Sequence, residues 1–493
     1  MSGKARKDAE QPGDAGSYTR SRAMKHLLLN FTDMAEYAAS GGRVIVRGEG
    51  CEVVDDQGRH FIDGLSGLFC TNLGHSYGDE IGAEAHRQLA TLPFTPAWTL
   101  AHPPAAELAE MLAERAAPLG MQRVYFSNSG SEAVESAYKL VRQWHAANGE
   151  PQRTKAIARK ASYHGTTLGA LSFTGLPVCQ EPFEPMAVPT THVSSTNTYR
   201  HPARGDLEHF TRVLLDEMES AIQAAGADEV AMIIAEPVQN GGGSFVPPPG
   251  YWPGLRELCD RYGIILVADE TITGYGRLGE WFASSLFGGR PDLITFAKGV
   301  TAGHAPLGGV LMTDRMAEPF VTGGQTFMHG YTYSGHPMCT AVGASAIRIY
   351  EREHVFDNVR ALAPGFASGL EELRRIPLVG DVRGMGFFWA LELVKDRETR
   401  ARFSSDEAGW LLRSELSARM DELGLLCRLD DREEPVIQLS PPLVSDAALL
   451  DRIVDIVGTA TEQAWHAWSG EAAPGSVGTL PTPRPRDSEI GAA

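Results

Sequence analysis

Three short runs in the middle of the chain are almost wholly apolar, and each stops at an ionisable residue. VAMIIA (230–235) is followed by Glu236, IILVA by Asp269, and DLITFA by Lys298. Unbroken apolar runs of this length suit strands covered on both faces, which occur in parallel sheets flanked by helices. RVYF (123–126) and KAIAR (155–159) read as further strands of the same kind. Longer helical patterns separate them. SEAVESAYKLVRQWHAAN (131–148) is the clearest, and another runs from about Pro337 to Tyr350. Such alternation predicts an α/β fold whose large domain holds a mostly parallel sheet. After about residue 350 the pattern changes. Short strands such as GFFWALEL (386–393) and PVIQLS (435–440) alternate with helices, which predicts a smaller α+β domain. The segment 43–63 reads as a hairpin that joins it.

In open parallel sheets, ligands bind outside the carboxyl ends of the strands. The three runs therefore place two acids and a lysine around one crevice. Each charge taken singly could just mark where a strand meets solvent. A lysine on an apolar strand, however, is rare unless paired or chemically used. SNSGSEA (127–133) opens the long helix, and exposed N–H groups at a helix start can cradle a phosphate. Plain capping by Ser129 with Glu132 explains the same residues. A second turn, HGYTYSGHP (329–337), also precedes a helix, with Pro337 near its first position. Gly274, Gly276 and Gly279 match G-x-G-x-x-G, but they do not directly follow a strand and open a helix as a dinucleotide site requires. A phosphate cradle, an acid and a lysine together suit pyridoxal 5′-phosphate. The lysine amine would form a Schiff base, and the acid would keep the pyridine nitrogen protonated.

Composition removes other classes. With 44 Lys and Arg against 62 Asp and Glu, the net charge is −18, which disfavours nucleic acid and anionic membranes as partners. No run reaches the length of a membrane span, and the first 20 residues contain no apolar signal stretch. Six cysteines, at 51, 70, 179, 259, 339 and 427, stand singly with no zinc spacing. They are expected to be reduced in a cytoplasmic protein, with no metal.

Three segments carry a family resemblance: VADETITGYGRLGEWFA, TFAKGVTAGHAPLGGV and FMHGYTYSGHP. In order and spacing they resemble the class III pyridoxal-phosphate aminotransferases, most of all the ω-transaminases that use pyruvate. The resemblance spans roughly residues 25 to 465. It implies fold type I, with a large seven-stranded-type sheet domain and a small domain built from both chain ends. On that basis the expected layout is tails at 1–20 and 469–493, small-domain parts at 21–70 and 346–468, and a cofactor-binding domain at 71–345. Both tails, polar or rich in proline, are expected to be disordered. The resemblance also implies a homodimer with a shared active site, possibly assembled further into a tetramer.

Carried over by position, Lys298 resembles the Schiff-base lysine and proton shuttle, and Asp269 the partner of the pyridine nitrogen. Ser129, Gly130 and Ser131 resemble the phosphate turn. Tyr163 of SYHG resembles the aromatic stacked on the ring, and Glu236 the acid of the ring-side network. Thr332 resembles the phosphate ligand donated by the partner subunit. Phe69, Phe94 and Trp98 resemble residues lining the substrate pocket, with core aromatics as the plainer reading, more so for Phe94. Arg428 resembles a mobile arginine that meets a substrate carboxylate; otherwise it is a solvated arginine among Asp430, Asp431 and Arg432.

Two departures matter. Thr271 stands where the family carries an aliphatic residue on the ring face, and its hydroxyl needs a partner. Gly242 and Gln438 replace a Glu and an Arg of ornithine-type relatives, which argues against ornithine or 4-aminobutyrate recognition. The expected activity is amino transfer from an amine or ω-amino acid to a keto acid, pyruvate, by a ping-pong route. Aminomutase, racemase or decarboxylase chemistry on the same scaffold, and a non-catalytic cofactor-fold protein, remain the alternatives.

Overall fold

The computed structural model describes residues 12–470. Its centre is a seven-stranded sheet made of β1 (Met121–Ser127), β2 (Lys155–Arg159), β3 (Thr190–Val193), β4 (Val230–Ala235), β5 (Ile265–Asp269), β6 (Leu293–Phe296) and β7 (Gly308–Thr313). The spatial order is β1-β7-β6-β5-β4-β2-β3. β7 runs antiparallel to both its neighbours, and the remaining pairs are parallel. Every residue of β4, β5 and β6 is buried. Alternate side chains feed two cores. Leu266 and Ala268 join one, and Ile265 and Val267 the other, as the two-residue period of a strand requires.

The helix α1 (Gly130–Ala147) covers one face through Val134, Ala137 and Val141. α2 (Leu207–Ala225) and α3 (Tyr251–Tyr262) contribute Phe210, Leu214, Leu255 and Leu258 to the other face. α4 (Pro337–Arg352) begins at the expected proline and ends where the sequence pattern changes.

Two four-stranded sheets flank this body. In one, the expected hairpin segment forms Ile45–Glu49, Glu52–Asp55 and His60–Asp63, and Leu425–Leu426 joins it in parallel to the last of these. Residues far apart in the chain thus share a sheet. The other sheet contains Val379–Met385, Phe388–Leu393, Val436–Leu439 and Arg428–Asp430.

One expectation is corrected. Residues 12–20 of the expected N-terminal tail belong to a helix, Pro12–His26, whose Arg20 pairs with Asp56 at 2.7 Å. The ion pair ties a polar helix to the hairpin, an attachment that composition does not display. Residues 1–11 and 471–493, the rest of the expected tails, lie outside the described residues. The six cysteines are free, three buried and three half-buried. Among the described residues no metal-holding cluster occurs, and no helix is long and apolar enough to cross a membrane.

Candidate active site

The carboxyl ends of β1, β2, β4, β5 and β6 converge on a cavity of about 420 Å³. Ser129, Gly130, Ser131, Tyr163, Glu236, Asp269, Thr271 and Lys298 all line it. The three strand-end charges therefore share one site.

Asp269 is 4% exposed, and donors surround it. His164 Nδ1–H donates to Oδ2 at 2.8 Å. Thr271 Oγ1 (2.6 Å) and N (3.1 Å) donate to Oδ1, as does Thr295 Oγ1 at 2.9 Å. Burial alone would push this carboxyl up, but the His164, Thr271 and Thr295 bonds hold it below its ordinary value. The result is a fixed carboxylate on the cavity floor. Thr271 resolves the question raised by its hydroxyl, because the donor it adds to an aliphatic shape serves Asp269 itself. His164 was missed from the sequence, although it follows Tyr163 in SYHG. Its Nε2 is buried with no partner among the described residues.

Lys298 follows β6 with φ of +46°, a left-handed conformation uncommon for a non-glycine residue and one that clusters at functional sites. Burial lowers its pKa, and Asp269 offsets this in part. A neutral amine is thus favoured more than on an exposed lysine. Glu236 accepts from Tyr163 N at 2.8 Å and Asn240 N at 2.5 Å, so it fixes the loop that carries the aromatic ring; burial raises its pKa.

At the start of α1, Ser129 Oγ accepts from Glu132 N at 3.2 Å. The Glu132 carboxylate does not close the expected box on Ser129. It reaches one residue further, to Asn128 N and Nδ2 at 2.7 and 2.8 Å. By position, the N–H groups of Gly130 and Ser131 have no preceding helical carbonyl to bond, and both residues line the cavity, where such groups can meet an anion.

The remaining candidates do not line the cavity. Phe69 is 2% exposed and packs edge-on against Phe388 at 5.8 Å, a core aromatic. Phe94 is the more exposed of the two, which reverses the expected order, and it contacts Tyr333 at 5.7 Å. Trp98 is 71% exposed and lies beside Gly330. Thr332 is exposed on the same turn. That turn is clamped to α1 by His329 Nε2 on Ser136 Oγ at 3.0 Å and by Tyr331 Oη donating to Glu132 O at 3.2 Å. Arg428 is half-buried, with Nη2 on Asp430 Oδ2 at 3.0 Å, so it is not simply solvated. Its strand sets it opposite Gln438. Gln438 Nε2 donates to Asn240 O and Oδ1. A Cβ on Gly242 would fall 2.3 Å from the Phe245 ring, so an acidic side chain does not fit there without moving that ring.

Known proteins match most of this chain. The aminotransferase class-III family matches residues 36–460. The chain belongs to this family. It is a pyridoxal-phosphate-dependent aminotransferase of fold type I. It is 46% identical over 414 residues to a probable aminotransferase of Mycobacterium tuberculosis, covering 84% of this chain and 88% of that one. It is 38% identical over 440 residues to the putrescine–pyruvate aminotransferase of Pseudomonas aeruginosa, covering 89% and 94%. The solved (S)-enantioselective omega-transaminase of Thermomicrobium roseum superposes with a TM-score of 0.86 at 35% identity, covering 91% of this chain and 98% of that one.

The site fits the cofactor on its own chemistry. The helix start offers N–H groups to a phosphate, Asp269 offers a fixed carboxylate, and Lys298 offers an amine in one cavity. When bound, pyridoxal phosphate supplies a carbonyl that condenses with amines and a ring that draws electrons from the adjoining carbon.

Proposed function

We propose that this aminotransferase moves an amino group from an amine or ω-amino acid to pyruvate in two half-reactions at one cavity. The carrying observation is that Lys298 and Asp269 lie in the same cavity as the free N–H groups of α1. In this reading the α1 start and Thr332 hold the phosphate. Asp269 keeps the pyridine nitrogen protonated, and Tyr163 covers the ring. Lys298 Nζ takes the proton released at the amine-bearing carbon of the donor. Pyruvate as acceptor is supported by the putrescine–pyruvate relative and by Arg428, which has one ion pair and acts electrostatically on Tyr163 of the cavity.

Thr332 belongs to the neighbour's site in this reading, and the protein is a homodimer. Thr332 is exposed and does not line its own chain's cavity, and the aromatic cluster around Phe94 and Trp98 is open on the same side. A cytoplasmic location accords with six unpaired cysteines.

The test is a panel of amine donors with pyruvate, following donor, alanine and carbon dioxide together. The expected outcome is one alanine per donor consumed and no carbon dioxide. Carbon dioxide release, or isomerisation of the donor without alanine, would establish one of the other reactions of the scaffold. In stopped-flow, Arg428→Ala should raise the pyruvate concentration needed for half-maximal rate roughly tenfold or more, as expected on losing a charge-assisted bond. The half-reaction of an uncharged amine should change little.

A further inference from the structure

Asp430 is 6% exposed and has two arginines on it. Their holds are unequal. Arg432 Nε lies 2.9 Å from Oδ1 and 3.1 Å from Oδ2, its Nη2 lies 2.6 Å from Oδ2, and its backbone N donates to Oδ1 at 3.1 Å. Arg428 has the single contact from Nη2 at 3.0 Å. Arg432 therefore satisfies both oxygens of Asp430 without Arg428. Removing one partner from a buried ion pair is normally expensive, because it strands a charge. Here Arg428 can leave and Asp430 stays paired. Arg432 has a second anchor, its guanidinium lying 5.9 Å over the Tyr163 ring, so it remains at the cavity edge. The balance between burial and the Asp430 charge also differs for the two arginines. Burial pulls Arg428 down; it also opposes Arg432, but the Asp430 bonds raise Arg432 overall.

We infer that Asp430 and Arg432 are positioning residues that set the substrate choice of this site: Asp430 retains Arg428 away from the cavity, and Arg432 keeps that retention weak enough for an incoming carboxylate to compete. The inference rests on the reading of Arg428 as the carboxylate-binding residue. It makes the acceptor's Michaelis constant depend on two side chains that do not touch the acceptor.

The two substitutions should act in opposite directions. Asp430→Asn removes the retaining charge, so the Michaelis constant for pyruvate falls, by roughly two- to fivefold for one partly exposed ion pair. Arg432→Gln leaves Asp430 with Arg428 alone and tightens that hold, so the constant rises by about the same factor. The double variant should resemble Asp430→Asn, since Arg432 matters only while Asp430 is charged. All three are measured as holoenzymes, with cofactor content read from absorbance and the pyruvate half-reaction followed by stopped-flow. Shifts of both single variants in the same direction, or a fall in limiting rate with no change in Michaelis constant, would make the pair merely structural and overturn the inference. Should Asp430→Asn fail to fold, Arg432→Gln still decides, because its Michaelis constant for pyruvate must rise with the limiting rate kept. Arg428→Ala separates the two levels. If it leaves pyruvate kinetics unchanged, the reading of Arg428 is wrong. If it weakens pyruvate while the Asp430 and Arg432 variants do not diverge, only the present inference falls.

Discussion

The cavity floor and its rim are built differently. On the floor, Asp269, Lys298 and Glu236 stand at the ends of buried strands. Asp269 receives four hydrogen bonds, three from side chains on three separate segments. Nothing there needs another chain. At the rim, Arg428 has one ionic contact, and Thr332 and Trp98 are exposed and do not line the cavity of their own chain. Rigid strand ends suit chemistry, which requires reacting groups held in a fixed place. An edge held by few contacts suits selection, which requires groups able to adapt. The difference predicts that floor variants lose rate, whereas rim variants alter binding.

The largest effect belongs to Lys298→Ala. In the proposed reading the Lys298 amine is both the covalent anchor and the proton carrier, so its removal should lower turnover at least about a thousandfold. The fold should survive, as checked by circular dichroism and gel filtration, and added cofactor should wash out. Sustained multiple turnover would break the comparison at its strongest point.

Asp269→Asn comes next. The amide cannot supply the negative charge, and turnover should fall about a hundredfold. The phosphate cradle is untouched, so cofactor should still be retained, as absorbance after desalting will show. His164 sharpens the same point. With Gln at 164, one donor to Asp269 remains in reach and the loss should be milder, while His164→Leu removes the donor and lets burial raise the carboxyl. The pH–rate profile of the leucine variant should therefore move its acid limb upward, because the carboxyl then binds its proton at higher pH. An unchanged limb would separate His164 from the chemistry.

The same contrast explains what was legible in the sequence. Floor residues carry local signals, since an ionisable residue that ends an apolar run is visible without any fold. His164 is not of that kind. Its role comes from a contact with Asp269, 105 positions away. β7 was overlooked for a packing reason. A Cβ on Gly309 would lie 2.5 Å from Tyr125 O and 2.6 Å from the Phe296 ring, so this strand needs the glycine that reads as a strand breaker. Phe69 and Trp98 show the limit at the rim. Aromatic identity alone does not say which ring a turn with positive φ sends into the core and which stays at the surface. The hold of Arg432 on Asp430 involves neighbours in sequence, yet its meaning depends on Tyr163 lying beneath.

Thr332→Ala should have the smallest effect, and it tests whether the rim is shared. The turn bearing Thr332 is fastened to α1 by His329 and Tyr331, and the start of α1 is the proposed phosphate cradle of the same chain. One helix thus supports its own cradle at one end of the contact and presents Thr332 outward at the other. If Thr332 donates to the neighbour's phosphate, its loss removes one hydrogen bond to a charged group, worth about 1.5–3 kcal/mol. Cofactor should then be retained roughly ten- to a hundredfold less tightly, with limiting turnover at saturating cofactor little changed. Because anything that binds the assembled form alone stabilises it by mass action, the dimer of the wild-type protein should also weaken when cofactor is removed. Sedimentation with and without pyridoxal phosphate reads this directly. In Thr332→Ala the difference between the two conditions should shrink. A fully active monomer, or a dimer indifferent to cofactor in both proteins, would place the whole site within one chain and remove the distinction between a self-contained floor and a shared rim.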